Sequence, residues 1–335
     1  MMDVTAQISR RLEAFWGYKH VLCTDTLQHA YELILNQFTT KEHALFCSAN
    51  QNIELYKAIN CAPCTPHYYD LRLDGTLDIK QLQKQLTDQS TLLFSHYYGA
   101  LSDHTACEVL AQEYALTLLE DATSTFYRPI KSKAVATLFS LESLIEGEKA
   151  AFIATDSDEI AQQLQHQIKG GYIQKKNYNY DIDLSTPNIE LSPLLAKMIL
   201  EHLEHLELRR SLITQHQKVY YEKLKHSRLI TLPPQEHLTP SRTFAIALVP
   251  ALFCPKEEIY NALKERGIDV KVGYKPIYKN SAFLDTHCSL FGTEELYKSE
   301  LLLPCDDYLS TEEIAHYAEL LLEILSQFNY RGCSF

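Results

Sequence analysis

Two short apolar runs within residues 92–126, LLFSHYYGALSDHTACEVLAQEYALTLLEDATSTF, end in side chains that can hold a proton or a charge. His96 follows the first run, and Glu120 and Asp121 close the second. Between them Cys107, Leu110 and Ala111 keep helical spacing, so the stretch reads as strand, loop, helix, strand. In an open parallel sheet the crevice beyond the carboxyl ends of the strands receives ligands, which places His96 and Asp121 at its border. A capping Asp and an internally satisfied His are the plainer readings of the same two residues.

Further residues suit an anionic ligand. Thr24-Asp25-Thr26 precedes an apolar helical run at 27–35, and the amino-terminal N–H groups and dipole of such a helix attract a phosphate. Asp25 is either a cap for that helix or a carboxylate that repels the phosphate. Gln28 lies within reach of a capping-box arrangement. Two segments rich in lysine and tyrosine, 169–180 and 271–279, offer rings for stacking and amines for charge, although solvated lysines give the same composition. His202 and His205 could share a helix face, but no Cys/His set has zinc spacing, and there is no His-Glu-x-x-His, no Gly-x-Ser-x-Gly and no Walker loop. No metal is expected.

The elements that position these residues follow from periodicity. Val4, Ile8, Leu12 and Phe15 mark a first helix. Apolar runs at 44–47, 67–71, 92–95, 116–119, 135–139 and 151–154 alternate with helical stretches, which predicts an α/β fold with a mostly parallel, doubly wound sheet. Ser192-Pro193 opens what reads as one long helix to about residue 224. A strand at 244–249, a helix at 256–266, a loop at 271–279 and a last helix opened by a Ser310/Glu313 capping box follow. The boundary is expected near residue 225, giving a large domain at 1–225 and a small α+β domain at 226–335.

Composition bounds the partners. The chain has 335 residues, 46% of them hydrophobic, enough for a full core, and a net charge of −12 argues against nucleic acid and anionic membrane. Charges fall at residues 1–16, where a signal peptide needs an apolar stretch, so a soluble, cytoplasmic protein is expected. Nine cysteines, an odd number, read as reduced thiols. Cys61-Ala-Pro-Cys64 lies between a helix and a strand, whereas a redox pair opens a helix.

The order of motifs resembles the DegT/DnrJ/StrS family of nucleotide-sugar aminotransferases. Thr24-Asp25-Thr26 is similar to its Ser-Gly-Thr phosphate loop, Pro66-His-Tyr-Tyr-Asp70 to its Pro-x-x-x-Asp strand, and His96-Tyr-Tyr-Gly99 with Glu120-Asp121-Ala122 to its central unit. Phe139-Ser140 with Gly147-Glu148, Asn177-Tyr-Asn-Tyr180, and Pro304 with residues 310–313 complete the match. The resemblance implies the type I fold of pyridoxal-phosphate enzymes and a homodimer. Pyridoxal 5'-phosphate or pyridoxamine 5'-phosphate is the implied cofactor. It would be held by Thr24, Asp25, Thr26, Asp121, Ser124 and Ser140, with Asn179 reaching the neighbouring subunit's phosphate. It also implies a nucleotide-sugar substrate near His96, Tyr178, Lys271 and Tyr278, and an amino donor such as glutamate.

The chain departs from that pattern where the chemistry is done. The family's cofactor-bearing lysine follows Phe-Ser-Phe, yet residues 141–148 contain none, and the segment is shortened. Lys149 is the nearest lysine, and it reads as a surface residue pairing with Glu146 or Glu148. Asp25 and Lys149-Ala150 replace glycines, Ser124 replaces Gln, Asp181 replaces Arg, and residues 47–52 lack the family's aromatic. Three activities remain open: amino transfer to a keto-sugar nucleotide, a lysine-less dehydration using pyridoxamine phosphate with Glu142 or Glu146 as base, and a catalytically silent binding partner.

Overall fold

The computed structural model describes residues 3–128, 131–174, 180–182, 187–249, 255–283 and 288–332. In chain order the elements begin α1 (Val4–Trp16), β1 (His20–Thr24), α2 (Leu27–Phe38), β2 (Ala44–Ser48), α3 (Ile53–Cys61), β3 (Thr65–Tyr69), α4 (Ile79–Gln83) and β4 (Thr91–Ser95). They continue with α5 (His104–Glu113), β5 (Thr117–Asp121), β6 (Ala136–Ser140), β7 (Ala151–Thr155), α6 (Asp158–Ile168), β8 (Tyr172–Gln174) and β9 (Tyr180–Ile182). The remainder is α7 (Pro193–Glu204), α8 (Leu206–Leu224), β10 (Ile230–Thr231), β11 (Thr243–Leu248), α9 (Lys256–Glu265), α10 (Phe291–Ser299), β12 (Glu300–Pro304) and α11 (Thr311–Gly332).

Seven strands form the main sheet in the order β1-β7-β6-β5-β4-β2-β3. The strands from β3 to β6 pair in parallel; the crossovers linking β2, β3, β4 and β5 carry helices, that from β5 to β6 carries none among its described residues, and β7 runs antiparallel to β6 and to β1. The β6–β7 connection, residues 141–150, is too short for a parallel crossover, so β7 turns back. This reversal has a functional consequence. Ser95 pairs with Asp121, Ser140 with Ala151, and Ala151 with Thr24, so the ends of β1, β4, β5 and β6 and the start of β7 share one edge.

Alternation along the strands sends residues to opposite faces. Leu45, Leu93, Leu119, Leu138 and Ile153 pack on Tyr31, Ile34 and Leu35 of α2 and Leu55 and Tyr56 of α3. Phe46, Leu92, Phe94 and Leu118 meet Cys107 and Leu110 of α5, and Phe139 and Phe152 meet Ile8, Leu12 and Trp16 of α1. Trp16 stacks on Phe139 with ring centroids 3.7 Å apart. A second, antiparallel sheet, β10-β11-β12, lies beyond residue 225 and shares its core with Ile259, Leu263, Ile314 and Leu321 of α9 and α11.

The mostly parallel, doubly wound α/β sheet is as the sequence predicts. The predicted strands are present, β3 starting two residues earlier than its apolar run. The apolar pattern gives no sign of strands β1, β8, β9, β10 and β12. The long helix is corrected to two: α7 ends at Glu204, and His205, at φ −108° and ψ 13°, leaves helical geometry before α8. The break re-aims the chain, so that α7 buries Ala196, Ile199 and Leu203 beside α1 while α8 buries Ile213, Tyr220 and Leu224 beside α11. Arg209 braces it, bonding His202 Nδ1 at 2.9 Å and Asp307 at 2.9 and 3.0 Å. The capping box at Ser310 and Glu313 forms as expected, whereas Gln28 bonds Glu32 instead of closing a box on α2. The seven described cysteines are free thiols. Among the described residues no helix is long and apolar enough to cross a membrane.

Candidate active site

The shared sheet edge forms one wall of a cleft of about 340 Å³. Gln51, His96, Thr123, Ser124, Ser140 and Lys149 line that wall, while Ser241, Arg242, Lys271, Tyr274 and Asp306 face them from the carboxyl-terminal part. Gly99 lets the two parts close. It has φ +91°, and a Cβ there would lie 3.0 Å from Ser241 Cβ and 3.1 Å from Thr239 O.

Adjacent residues on β5 put their carboxylates to opposite uses, because successive side chains leave a strand on opposite faces. Asp121 points toward α2 and is fully buried. It accepts four hydrogen bonds: from Tyr31 Oη at 2.7 Å, Gln51 Nε2 at 2.7 Å, Thr123 N at 3.0 Å and Thr123 Oγ1 at 2.6 Å. Burial pushes its carboxyl pKa up, and the Thr123 and Tyr31 donors oppose that rise. Gln51 is itself fixed, since its Oε1 accepts from Asn52 N at 3.1 Å, and Asn52 Nδ2 donates to Tyr31 Oη at 3.1 Å.

Glu120, on the other face, is a structural anion. It bonds Arg128, His96 Nε2 at 2.8 Å, Ser132 at 2.7 Å and Thr137 at 2.9 Å. Burial would raise its pKa, but the guanidinium and imidazole outweigh that and hold it well below the usual carboxylate range. Ser102 N donates to His96 Nδ1 at 3.1 Å, which assigns the proton to Nε2 and directs it to Glu120. Burial lowers the His96 pKa to about 4. Both ring nitrogens are thus engaged within the protein, and His96 forms part of the wall of the cleft.

At the other end of the edge, Thr24 Oγ1 donates to Thr26 O and Ala151 O. Thr26 caps α2 by accepting from His29 N at 3.2 Å, and Asp25 turns aside to His29 Nδ1 at 2.7 Å. The first amide of α2, Leu27 N, is taken by Lys149 O at 2.7 Å. Residues 24–26 are absent from the cleft lining, whereas Leu27 is part of it. Ser140 and Lys149 do line it. Ser140 Oγ accepts from Glu142 N, and Ser124 Oγ donates to His96 O at 2.8 Å. The expected pairing of Lys149 is also corrected: Glu146 bonds Lys271 Nζ at 2.9 Å and Arg242 Nη2 at 3.3 Å, and among the described residues no ion pair joins Lys149 to an acid.

Aromatic surface comes from both sides of the cleft. Tyr98 stacks on Tyr274 at 5.6 Å with 24° between planes. Beneath them Tyr97 Oη bonds the buried Glu300, whose pKa burial raises to about 7. Tyr278, expected to bind substrate, bonds Glu294 at 3.1 Å and accepts from Leu290 N outside the cleft. Tyr178 and Asn179 lie outside the described residues. Sequence reasoning missed Gln51, Tyr31 and Arg242, and reached Tyr274 only as part of the lysine- and tyrosine-rich segment 271–279.

Residues 3–321 match the model of the DegT/DnrJ/EryC1/StrS aminotransferase family. The chain belongs to this family. A UDP-4-amino-4,6-dideoxy-N-acetyl-beta-L-altrosamine transaminase of Campylobacter jejuni is 23% identical over 334 residues, covering 95% of this chain and 88% of its own. Among solved structures, Helicobacter pylori PseC, an aminotransferase involved in the biosynthesis of pseudoaminic acid, superposes with TM-score 0.89 at 18% identity. It covers 98% of this chain and 92% of its own. The Escherichia coli GDP-4-keto-6-deoxy-D-mannose-3-dehydratase, solved with hydrated PLP, gives TM-score 0.85 at 16% identity, covering 96% and 92%. This DegT/DnrJ/EryC1/StrS family member therefore has the type I fold of pyridoxal-phosphate enzymes.

Proposed function

We propose that this chain moves an amino group between an amino acid and a nucleotide-linked keto sugar, using pyridoxal 5'-phosphate or its amine form, pyridoxamine 5'-phosphate, in the cleft. The observation that carries this reading is Asp121, a buried carboxylate whose Oδ2 takes a bond from Gln51, a neutral side-chain amide that lines the cleft. A protonated ring nitrogen makes a stronger, charge-assisted bond to the same oxygen than the amide does. The group fits on these terms. The Ser140 hydroxyl and Lys149, whose ammonium pairs with no acid among the described residues, line the same wall and supply the hydroxyl and the cation that a phosphate needs. With no lysine in 141–148, the group is held there without a covalent bond from that segment.

When bound, the group supplies an electron sink for the substrate carbon that bears nitrogen. Asp121 keeps the proton on the ring nitrogen. Tyr98 and Tyr274 give a flat apolar surface for a sugar or base, and Lys271 and Arg242, paired with Glu146 and Asp306, hold N–H donors on that side of the cleft. The relatives' transaminase names support a nucleotide sugar as substrate.

Calorimetric titration with pyridoxamine phosphate tests the site. Wild type should bind saturably, and Asp121→Asn, which removes a charge at nearly constant volume, should bind at least about tenfold more weakly while still melting cooperatively. Equal affinity in the two proteins would remove Asp121 from the site.

A further inference from the structure

We propose that Gln51 is a built-in stand-in for the ring, a gate whose amide occupies the carboxylate of Asp121 until a cationic ring nitrogen displaces it. The inference rests on reading the cleft as a pyridoxamine phosphate site. Of the other donors on Asp121, Tyr31 belongs to the α2 core and is fully buried, and Thr123 gives both its backbone N–H and its hydroxyl to the other carboxylate oxygen, Oδ1. Gln51 differs from both: it lines the cleft, and its Nε2 lies 2.7 Å from Oδ2, so among the described residues it is the cleft-lining donor to that oxygen.

An entering ring must therefore break an existing hydrogen bond to reach the carboxylate. The second bond, from Asn52 N to Gln51 Oε1, pre-sets the amide with its donor toward Asp121 and keeps the gate closed. Two consequences follow from this geometry. Affinity is reduced by the stability of the closed form, because binding draws on the fraction that is open. Selectivity is raised, because a neutral ring nitrogen that cannot donate gains nothing by displacing an amide that can, whereas a protonated one exchanges a neutral donor for a charged one. Gln51 is thus a specificity-determining residue that acts by competition, with no contact to a bound ring required.

The test is calorimetric titration of pyridoxamine phosphate into wild type, Gln51→Ala and Gln51→Ser, with thermal melting to confirm that each variant folds. Either variant should bind at least about tenfold tighter than wild type, since a hydrogen bond to a charged partner no longer has to be broken. Adding Asp121→Asn to the Gln51→Ala protein should abolish that gain. Equal or weaker binding by both Gln51 variants overturns the gate and leaves the proposed function standing. Absence of binding by wild type and variants alike overturns both.

Discussion

The side-chain amide of Gln51 lies 2.7 Å from Oδ2 of Asp121, so the carboxylate that a cationic ring would need already has a partner from this chain. One residue earlier, Glu120 is locked to Arg128 and His96 on the opposite face of the sheet. The pleat thus sends two neighbouring acids to opposite faces of the sheet, and their pKa values move in opposite directions.

His96, bonded to Glu120, gives an acid-side pH dependence. His96 ionises at about 4 in the folded protein against an ordinary value of 6.5. Between those values the unfolded chain binds the proton and the folded chain does not, so stability falls as pH falls through that window. The shift corresponds to roughly 3 kcal/mol at most. Melting temperatures measured across the window should fall in wild type, and His96→Gln, which keeps a donor for Glu120, should show a flatter profile. Parallel profiles would contradict the assignment.

Glu300 has the opposite sign. Burial raises its pKa from 4.5 to about 7, so the folded state holds a proton that the unfolded chain has lost, and stability falls as pH rises through that window. Glu300→Gln keeps an acceptor for Tyr97 and cannot ionise. It should be more stable than wild type at pH values above about 7, by up to roughly 3 kcal/mol in denaturant melts. A variant less stable than wild type there would show that Glu300 is charged and paired.

Lys149 is expected to serve the phosphate end of the site and to carry no covalent cofactor. Its carbonyl is fixed to the first amide of α2, and a residue entering a strand has its direction set by the pleat. Borohydride reduction in the presence of pyridoxal phosphate, followed by peptide mass spectrometry, should find no stoichiometric adduct on Lys149. A full adduct there would make it the catalytic amine.

A homodimer is expected from the resemblance, with Asn179 reaching the neighbouring subunit. Light scattering at micromolar concentration should report about twice 38.5 kDa. A monomer would leave the cleft to be completed by one chain.

How far the sequence could be read depended on the kind of interaction involved. The strands around Leu93, Leu119 and Leu138 were legible because a buried parallel strand needs a continuous apolar run. Strand β1 was hidden, since Val21-Leu22-Cys23 is too short a run to stand out. The break at His205 has no Gly or Pro to announce it, being set by tertiary packing and by Arg209. Asp121 could be singled out because its role depends on position at a strand end. Gln51 could not, because its importance lies in reaching a residue seventy positions away, and no local pattern encodes that.

The most direct measurement is the donor half of the reaction. The protein would be incubated with pyridoxal phosphate and a mixture of nitrogen-labelled amino acids, and labelled pyridoxamine phosphate followed by mass spectrometry. The account predicts label transfer at least about tenfold faster than in the protein-free control, with most of that gain lost in Asp121→Asn. A protein that binds the cofactor yet transfers label no faster than the control would contradict it.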